Sequence, residues 1–266
     1  MLNTLIKFFK QRDLIIQFTK RELEIRHKGS LLGHLWAILS PSMMLGLYLF
    51  IFGVIFGGRF GILPNEDFFD YALALFLGLS FFNVIAEAIT TSPLLIISQP
   101  NFVKKVVFPL EIIPLTKIAA SLYYSFLSVA LCILLAPFTH GGLHASAFAL
   151  PLLMLPLAMI ALGISWALSA IGVFIRDINH LTGFIATATM YASAIVYSPT
   201  KVPMKIWSIL KLNPLLLVID QARHIILWNS TLDYFSLIYI YVISLIILIG
   251  GYIIFKYLRP YFAELI

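Results

Sequence analysis

The sequence predicts an all-α integral membrane protein with six transmembrane helices, and three observations support this fold class. Of the 266 residues, 61% are hydrophobic and only 11% are charged, whereas soluble domains carry about 25% charged residues. The mean hydropathy is +0.99, so the chain cannot cover its surface with polar groups, and lipid must be its solvent. The apolar segments contain good helix formers without strand-type alternation. Helices are therefore favoured over a barrel, because they satisfy their backbone hydrogen bonds internally.

Six apolar segments are long enough to cross a bilayer as helices, which takes about 20 residues. These predicted spans cover residues 35–57, 69–92, 112–137, 147–175, 179–198 and 233–255. The fourth is longer than a span needs and contains Pro151 and Pro156, so it either begins as a separate short piece or tilts. With no visible repeat or linker, residues 1–266 are predicted to form one domain. Its parts are a cytoplasmic interfacial segment, a six-helix membrane region and a cytoplasmic tail, at 1–34, 35–257 and 258–266.

The distribution of Lys and Arg predicts that both termini lie in the cytoplasm. Basic residues are concentrated before the first span, after the second, between the fourth and fifth, and at the C-terminus, and cytoplasmic loops carry such an excess. The exception is the last outer loop, with Lys201, Lys205, Lys211 and Arg223. The net charge of +6 suits anionic lipid headgroups beside the spans and does not require nucleic acid as a partner. The single Cys132 excludes an intramolecular disulfide framework.

Residues 13–28 are predicted to form an amphipathic helix that lies in the membrane interface. Glu22 and Arg26 interrupt its apolar arc at i, i+4 spacing, so they can pair with each other. Gly29 is expected to end this helix as a C-terminal cap. The helix serves either as a plain membrane anchor or as a docking surface for a cytoplasmic partner.

The second span carries a polar stripe made of Ser80, Asn83, Glu87 and Thr91, which share one helical face. Ionisable residues inside spans usually face the protein interior or a water-filled cavity. We therefore expect Glu87 to face the interior, either as a group on a transport pathway or as a structural hydrogen-bonding partner.

Two proline-broken segments flank the membrane core. After the second span, Ser98–Leu115 carries Lys104 between prolines that break the helix, which indicates a short amphipathic excursion on the cytoplasmic face. Before the last span, Pro199–Ser230 is too apolar for a loop but is divided at Asn213-Pro214 into halves too short to cross a bilayer. We predict two short re-entrant helices there, with Asp220 pairing with Arg223 or His224. An ordered surface hairpin is the alternative.

Recognisable catalytic and metal-binding motifs are missing from the sequence. It contains no GxxxxGK[ST] loop, no HExxH and no cysteine cluster, so we predict no catalytic residues and no metal site. His140 and His144 in HGGLH could bind a metal, but two histidines in a short loop are more simply solvated. The predicted outer-rim aromatic belt consists of Phe68, Phe69, Tyr71 and Tyr197.

The order and spacing of several short motifs are similar to those of one family. After the basic N-terminal helix, the chain reads GSLLGHLWAILSP into the first span, NFVKKVVFPLEIIP after the second, RDI at Arg176–Ile178, and YSPTKVP then LNPL before the last span. From about residue 12 to the C-terminus the chain resembles the ABC-2 type permease subunit of ABC exporters that move lipid-linked polysaccharides, such as O-antigen, teichoic acid and capsule.

The resemblance implies a multi-pass protein of the bacterial inner membrane that forms a homodimer. Two copies of a separate cytoplasmic ATPase subunit, which would hold ATP and magnesium, are implied beneath it, so this chain needs no cofactor and is not an enzyme. The implied substrate, a lipid-linked polysaccharide, passes through a channel lined largely by the first and fifth spans of the two permeases. Membrane lipids complete the expected partners.

By position, residues 12–28 match the family's interfacial helix, 98–111 its coupling region and 200–228 its outer gate helices. His34 stands where many relatives have an aromatic residue. The residues expected to contact the ATPase are Glu22, Arg26, Lys104, Lys105, Phe108 and Glu111. The residues expected at the outer gate are Asn213, Pro214, Asp220 and Arg223. Two alternatives stay open, namely a membrane enzyme acting on a lipid-linked sugar and an ABC exporter of drugs or small lipids.

Overall fold

The computed structural model describes residues 11–55, 57, 60–62, 65–104, 108–198, 202–228 and 230–266. Within these ranges the regular structure is helical and contains no strand, which confirms the all-α prediction. In chain order the α-helices are α1 Arg12–His27, α2 Trp36–Tyr48, α3 Phe68–Leu95, α4 Pro100–Lys104, α5 Ile112–Leu135, α6 Leu150–Phe174, α7 Ile178–Ala192, α8 Met204–Leu210, α9 Pro214–Ile226, α10 Tyr234–Leu258 and α11 Phe262–Leu265.

Five helical stretches among the described residues are long and apolar enough to cross a membrane. They are Gly33–Gly53, Phe68–Leu95, Ile112–Phe138, Ala145–Phe174 and Tyr234–Leu265, and they fall on five of the six predicted spans. The predicted span at 179–198 instead contains α7, a helix of 15 residues. At 1.5 Å per residue it is about 22 Å long, less than the roughly 30 Å of a hydrocarbon core. The count of six spans therefore stays a prediction.

Helix α3 forms the centre of the bundle. It lies against α5, α6, α7 and α9, and 78% of its most apolar stretch is buried. A helix that is apolar on most of its sides is suited to such a position. We call the end of the bundle where α3 begins the apical end, and the end where α3 is followed by α4 the basal end.

Small residues allow α6 and α10 to pack with their backbones in contact. A methyl group added to Gly251 would come within 2.0 Å of the Gly163 carbonyl oxygen. Helix α6 also meets α3 through a buried hydrogen bond of 2.7 Å between the Ser92 and Ser165 hydroxyls. Such small and hydroxyl-bearing residues characterise helix interfaces in membranes.

The N-terminal helix α1 lies on the surface of the bundle and has no buried residue. Leu14, Ile15 and Phe18 on its apolar face pack against a cluster at the basal end, and α1 also contacts α5. The helix ends at His27, and Gly29 takes a φ of +83°. The amphipathic helix and its glycine-containing end therefore lie where the sequence predicted them.

The segment before the last span contains two short helices, α8 and α9, as expected. They meet at Asn213-Pro214, where the Asn213 side chain accepts a hydrogen bond from the Leu215 N–H at 3.0 Å and proline occupies the first helical turn. Proline is tolerated there because its missing N–H would have no helical partner. Their insertion into the outer leaflet stays a prediction.

Candidate functional site

A polar crevice runs along α3 between α2 and α5. It consists of two adjoining cavities of about 300 and 500 Å³. Both are lined by Arg26, Ser80, Asn83, Tyr124 and Ser128. The larger cavity is also lined by Glu87 and Thr91, so the structure brings the four residues of the predicted polar stripe together.

Four charged side chains close the basal part of the polar crevice. Arg26 Nη1 lies 3.4 Å from Glu87 Oε2. Lys117 Nζ lies 3.5 Å from both Glu22 Oε2 and Glu87 Oε1. Glu87, whose side chain is 15% exposed, thus lies between two cations, which offset part of the cost of burying a carboxylate.

This arrangement corrects the pairing suggested by the spacing within α1. Glu22 and Arg26 were expected to pair with each other, but in the described structure each contacts a residue of another helix. The cross-helix partners are better placed because α1 lies across α5. The charges therefore attach α1 to the bundle.

Two aromatic rings complete the crevice beside these charges. The Arg26 guanidinium carbon lies 4.4 Å from the centre of the Tyr124 ring, a cation–π contact, and the Tyr124 hydroxyl lies 2.8 Å from His27 Nε2. Sequence reasoning missed His27, Lys117 and Tyr124. A signal was present, because Lys117, Ser121, Tyr124 and Ser128 recur at helical spacing through the third predicted span.

At the basal end, the expected ATPase-contact residues divide between surface and interior. Lys104 is exposed at the end of α4, whereas Lys105 lies outside the described residues. Phe108 is 8% exposed and packs against Phe18 and Phe102, with ring centres 5.1 and 4.7 Å apart. Phe108 therefore supports the surface from beneath, so it is poorly placed to contact a partner directly.

Glu111 is buried as well. One of its carboxylate oxygens accepts a hydrogen bond from Arg259 Nη1 at 2.6 Å, and its carbonyl oxygen accepts one from the Trp166 indole at 3.1 Å. Glu111 joins the start of α5 to α6 and to the end of α10. Its predicted role at the ATPase interface is untested, and its position makes any such role indirect.

Arg223 of α9 is buried at the apical end, with 1% of its surface exposed. It donates hydrogen bonds to the carbonyl oxygens of Ala74, Ala194 and Ile195, at 3.0, 3.1 and 2.8 Å. Its guanidinium carbon also lies 4.5 Å from the centre of the Phe60 ring. The arginine thereby joins α9 to α3 and to the segment that follows α7.

The expected partners of Asp220 are resolved by this geometry. Asp220 Oδ2 lies 3.6 Å from His224 Nε2, which is one of the two pairings predicted. Arg223 is directed away, to backbone carbonyls. One of these belongs to Ala194, whose φ of +49° is left-handed and ends the helical path of α7.

The comparisons with known proteins agree with the helical architecture. The profile of the ABC-2 type transporter family matches residues 13–227, most of the chain. This protein belongs to the ABC-2 type transporter family. The resemblance seen in the sequence motifs is thus confirmed, and the ABC-2 membership makes the chain a multi-pass membrane protein.

Several ABC-2 relatives match the chain along nearly its full length. The O-antigen export system permease protein RfbA of Klebsiella pneumoniae is 28% identical, covering 96% of this chain and 95% of the relative. RfbA of Myxococcus xanthus is 25% identical, covering 99% of each. The polysialic acid transport protein KpsM of Escherichia coli is 24% identical, covering 89% of this chain and 90% of the relative.

The predicted outer-rim aromatics of this ABC-2 chain do not form one exposed belt. Phe68 is 49% exposed and Phe69 packs partly against the core. Tyr71, however, is 7% exposed and donates a hydrogen bond to the Val196 carbonyl at 3.0 Å. The Tyr197 hydroxyl bonds the Tyr191 carbonyl. Tyr71 is therefore part of the apical core, because its ring and hydroxyl both have partners there.

Two acidic groups at the apical end were not anticipated. Glu66 is 3% exposed and accepts backbone N–H groups of the loop at 60–62. Asp70 accepts both the backbone N–H and Nδ1 of His140, at 2.9 and 2.7 Å. Asp67, Asp70 and His140 bring possible metal-ligand atoms within 4.8 Å of one another. Helix capping and the histidine already account for the Asp70 contacts, so the prediction of no metal stands as a prediction.

Proposed function

We propose that the chain is the permease subunit of an ATP-driven exporter that moves a lipid-linked polysaccharide, such as an O-antigen, across the bacterial inner membrane. The single observation that carries the proposal is its similarity, over nearly full length, to relatives named for O-antigen and polysialic acid transport. The polar crevice supports it, since a polar cavity between apolar helices suits a hydrophilic cargo better than a lipid-soluble drug.

The proposed assembly contains two copies of this chain and two cytoplasmic ATPase subunits, which hold ATP and magnesium. Helices α2 and α7 offer surfaces to a second copy, because each buries only two residues within its own chain. Helix α4 and its exposed Lys104, beside the surface of α1, offer a contact for the ATPase. Hydrolysis in that subunit would supply the energy, and this chain would supply the path.

A six-span topology with both termini in the cytoplasm is part of this proposal. Helix α7 alone is too short to cross, but the chain continues through buried residues Ser193, Ala194 and Ile195. Non-helical backbone at membrane depth is tolerated where protein buries it and satisfies its polar groups. The hydrogen bonds from Arg223 to Ala194 and Ile195 meet that requirement.

Labelling of single cysteines tests this topology in a Cys132→Ser background. We expect membrane-impermeant reagents to label cysteines at positions 65 and 142 in intact spheroplasts. Cysteines at positions 10, 104 and 264 should react only after permeabilisation. Labelling at position 10 from outside would refute the proposed orientation.

The proposed activity is tested by depleting the chain from its source bacterium. Surface polysaccharide should fall, and the lipid-linked glycan should accumulate at the inner membrane. Re-expression of the wild-type chain, or of Cys132→Ser as a silent control, should restore export. Undiminished surface polysaccharide after depletion would refute the proposal. In proteoliposomes with the ATPase, hydrolysis stimulated by the glycolipid distinguishes this function from that of a drug exporter.

A membrane enzyme acting on a lipid-linked sugar is less well supported. Among the described residues that line the two cavities, the one carboxylate is Glu87, and it lies within 3.5 Å of two cations. Hydrolysis of a glycosidic bond usually needs a pair of carboxyl groups with different roles.

A further inference from the structure

We propose that the polar crevice binds neutral, hydroxyl-rich sugar units, with the Asn83 amide as the central contact. This inference rests on the proposed function, because it assigns a place on the permease to the transported glycan. The crevice is lined by residues of one subunit, mainly from α2, α3 and α5.

Five hydroxyl groups on the walls of the crevice already donate their hydrogen atoms to backbone carbonyls. Ser80 donates to Phe76, Thr90 to Ala86, Thr91 to Glu87, Ser125 to Ser80 and Ser128 to Tyr124, at 2.8 to 3.1 Å. A hydroxyl has one donor and two acceptor lone pairs. The wall therefore presents spare acceptors, and a matching ligand must bring donors.

The charged groups around the crevice do not make it a better site for an anionic ligand. Arg26 and Lys117 carry two positive charges, and Glu22 and Glu87 carry two negative charges. Each cation is within 3.5 Å of a carboxylate oxygen. A phosphate group would have to compete with those carboxylates, whereas a sugar hydroxyl can donate to Glu87 without displacing a cation.

Asn83 is an amide that this network leaves available. Its side chain is exposed and lines both cavities, and no hydrogen bond to it occurs within the described part of the chain. An amide offers two donors and one acceptor oxygen, which suits a pair of neighbouring sugar hydroxyls. An unpaired amide on a membrane-spanning helix is costly unless water or a ligand binds it.

The remaining walls suit the apolar faces of a sugar ring. Trp36, Tyr48 and Tyr124 line the smaller cavity, and aromatic rings stack well on the C–H faces of pyranoses. The two volumes, about 300 and 500 Å³, lie in the range of about 300–1,000 Å³ typical of small-ligand sites. Acceptor-rich walls, a free amide and aromatic faces together favour a neutral sugar.

Saturation-transfer NMR on the full-length permease in nanodiscs tests this assignment. The probes are methyl α-mannoside, methyl β-galactoside and N-acetylglucosamine, with inorganic pyrophosphate observed by phosphorus NMR as the anionic comparison. We expect at least one sugar to show transfer that falls at least threefold in Asn83→Leu. Asn83→Ser removes the amide but keeps a small polar side chain, and it should show the same loss of signal. It serves as the test variant if Asn83→Leu folds poorly.

The matched control is Asn65→Leu, which removes an exposed amide from the apical loop, away from the crevice, and should leave the sugar signal unchanged. The inference is overturned if no sugar gives transfer, if the signal survives in both Asn83 variants, or if pyrophosphate alone binds. Export assays in cells separate the two proposals. If the wild-type chain and both Asn83 variants export polysaccharide equally well, the sugar site alone is overturned. If the wild-type chain does not export polysaccharide, the exporter function alone is overturned.

Discussion

Replacing Arg223 with alanine should loosen the apical end of the protein without unfolding the bundle. The substitution removes three hydrogen bonds to backbone carbonyls. The Ala74 carbonyl lies inside helix α3 and keeps its helical partner, but those of Ala194 and Ile195 follow the end of α7 and lose the donor that Arg223 provides. An unsatisfied buried acceptor costs about 1–3 kcal/mol. The two together therefore cost about 2–6 kcal/mol.

Hydrogen exchange of the permease in nanodiscs measures this cost locally. If the segment at 193–198 exchanges by local opening, a loss of only 2 kcal/mol should speed its amide exchange roughly 30-fold. The exchange rate of Arg223→Lys should lie between those of the wild-type protein and Arg223→Ala, because an ammonium group cannot reproduce the fork of the guanidinium. Proteoliposomes containing Arg223→Ala should also leak ions faster, since the loosened segment adjoins the predicted outer gate.

Arg176→Ala is the matched control, because Arg176 is an exposed arginine in the turn between α6 and α7. It should leave exchange at 193–198 and the ion leak unchanged. If Arg223→Ala changes that exchange by less than about threefold and the membranes stay tight, Arg223 does not hold the apical end.

Three further predictions concern packing, charge and coupling. Gly251→Ala should lower the melting temperature, because overpacking against α6 costs about 1–3 kcal/mol. The control is Gly250→Ala, whose added methyl group would meet nothing within 4 Å. It should be neutral or slightly stabilising in the same thermal scan. Glu87→Gln should weaken the attachment of α1 by about 1–2 kcal/mol, seen as faster proteolysis of α1 with an intact bundle; unchanged cleavage would show that the cations do not anchor it. Reversing charge at Lys104 and Lys105 to glutamate should reduce co-purification of the ATPase several-fold, and an undiminished yield of complex would remove this surface from the interface.

Local patterns were sufficient to predict most helices of this protein. The break at Asn213-Pro214 separates α8 from α9 because proline is fixed at a helix start and asparagine caps it, and both effects act within a few residues. The polar stripe on α3 was equally predictable, since helical spacing alone places Asn83 and Glu87 on one face.

Features that depend on contacts between distant parts of the backbone could not be predicted from local sequence patterns. The partners of Arg223 are carbonyl oxygens, which every residue possesses, so no side-chain pattern marks them. Helix α7 ends six residues before the predicted span does, because the chain turns at Ala194 with a left-handed φ. Glycine usually marks such a position, and alanine gives no sequence signal of it.

The central position of α3 has a consequence for how the protein is made. Most of its helical neighbours, including α5, α6, α7 and α9, follow it in the chain, so α3 enters the bilayer before most of the residues that will bury it exist. An ionised side chain near the centre of an isolated span costs about 2.5–3.5 kcal/mol on insertion scales. Arg26, however, precedes Glu87 by 61 residues and is already synthesised when Glu87 leaves the ribosome. The contact that attaches α1 in the finished protein is thus also the first of the two ion pairs available to Glu87, 30 residues before Lys117 can join it.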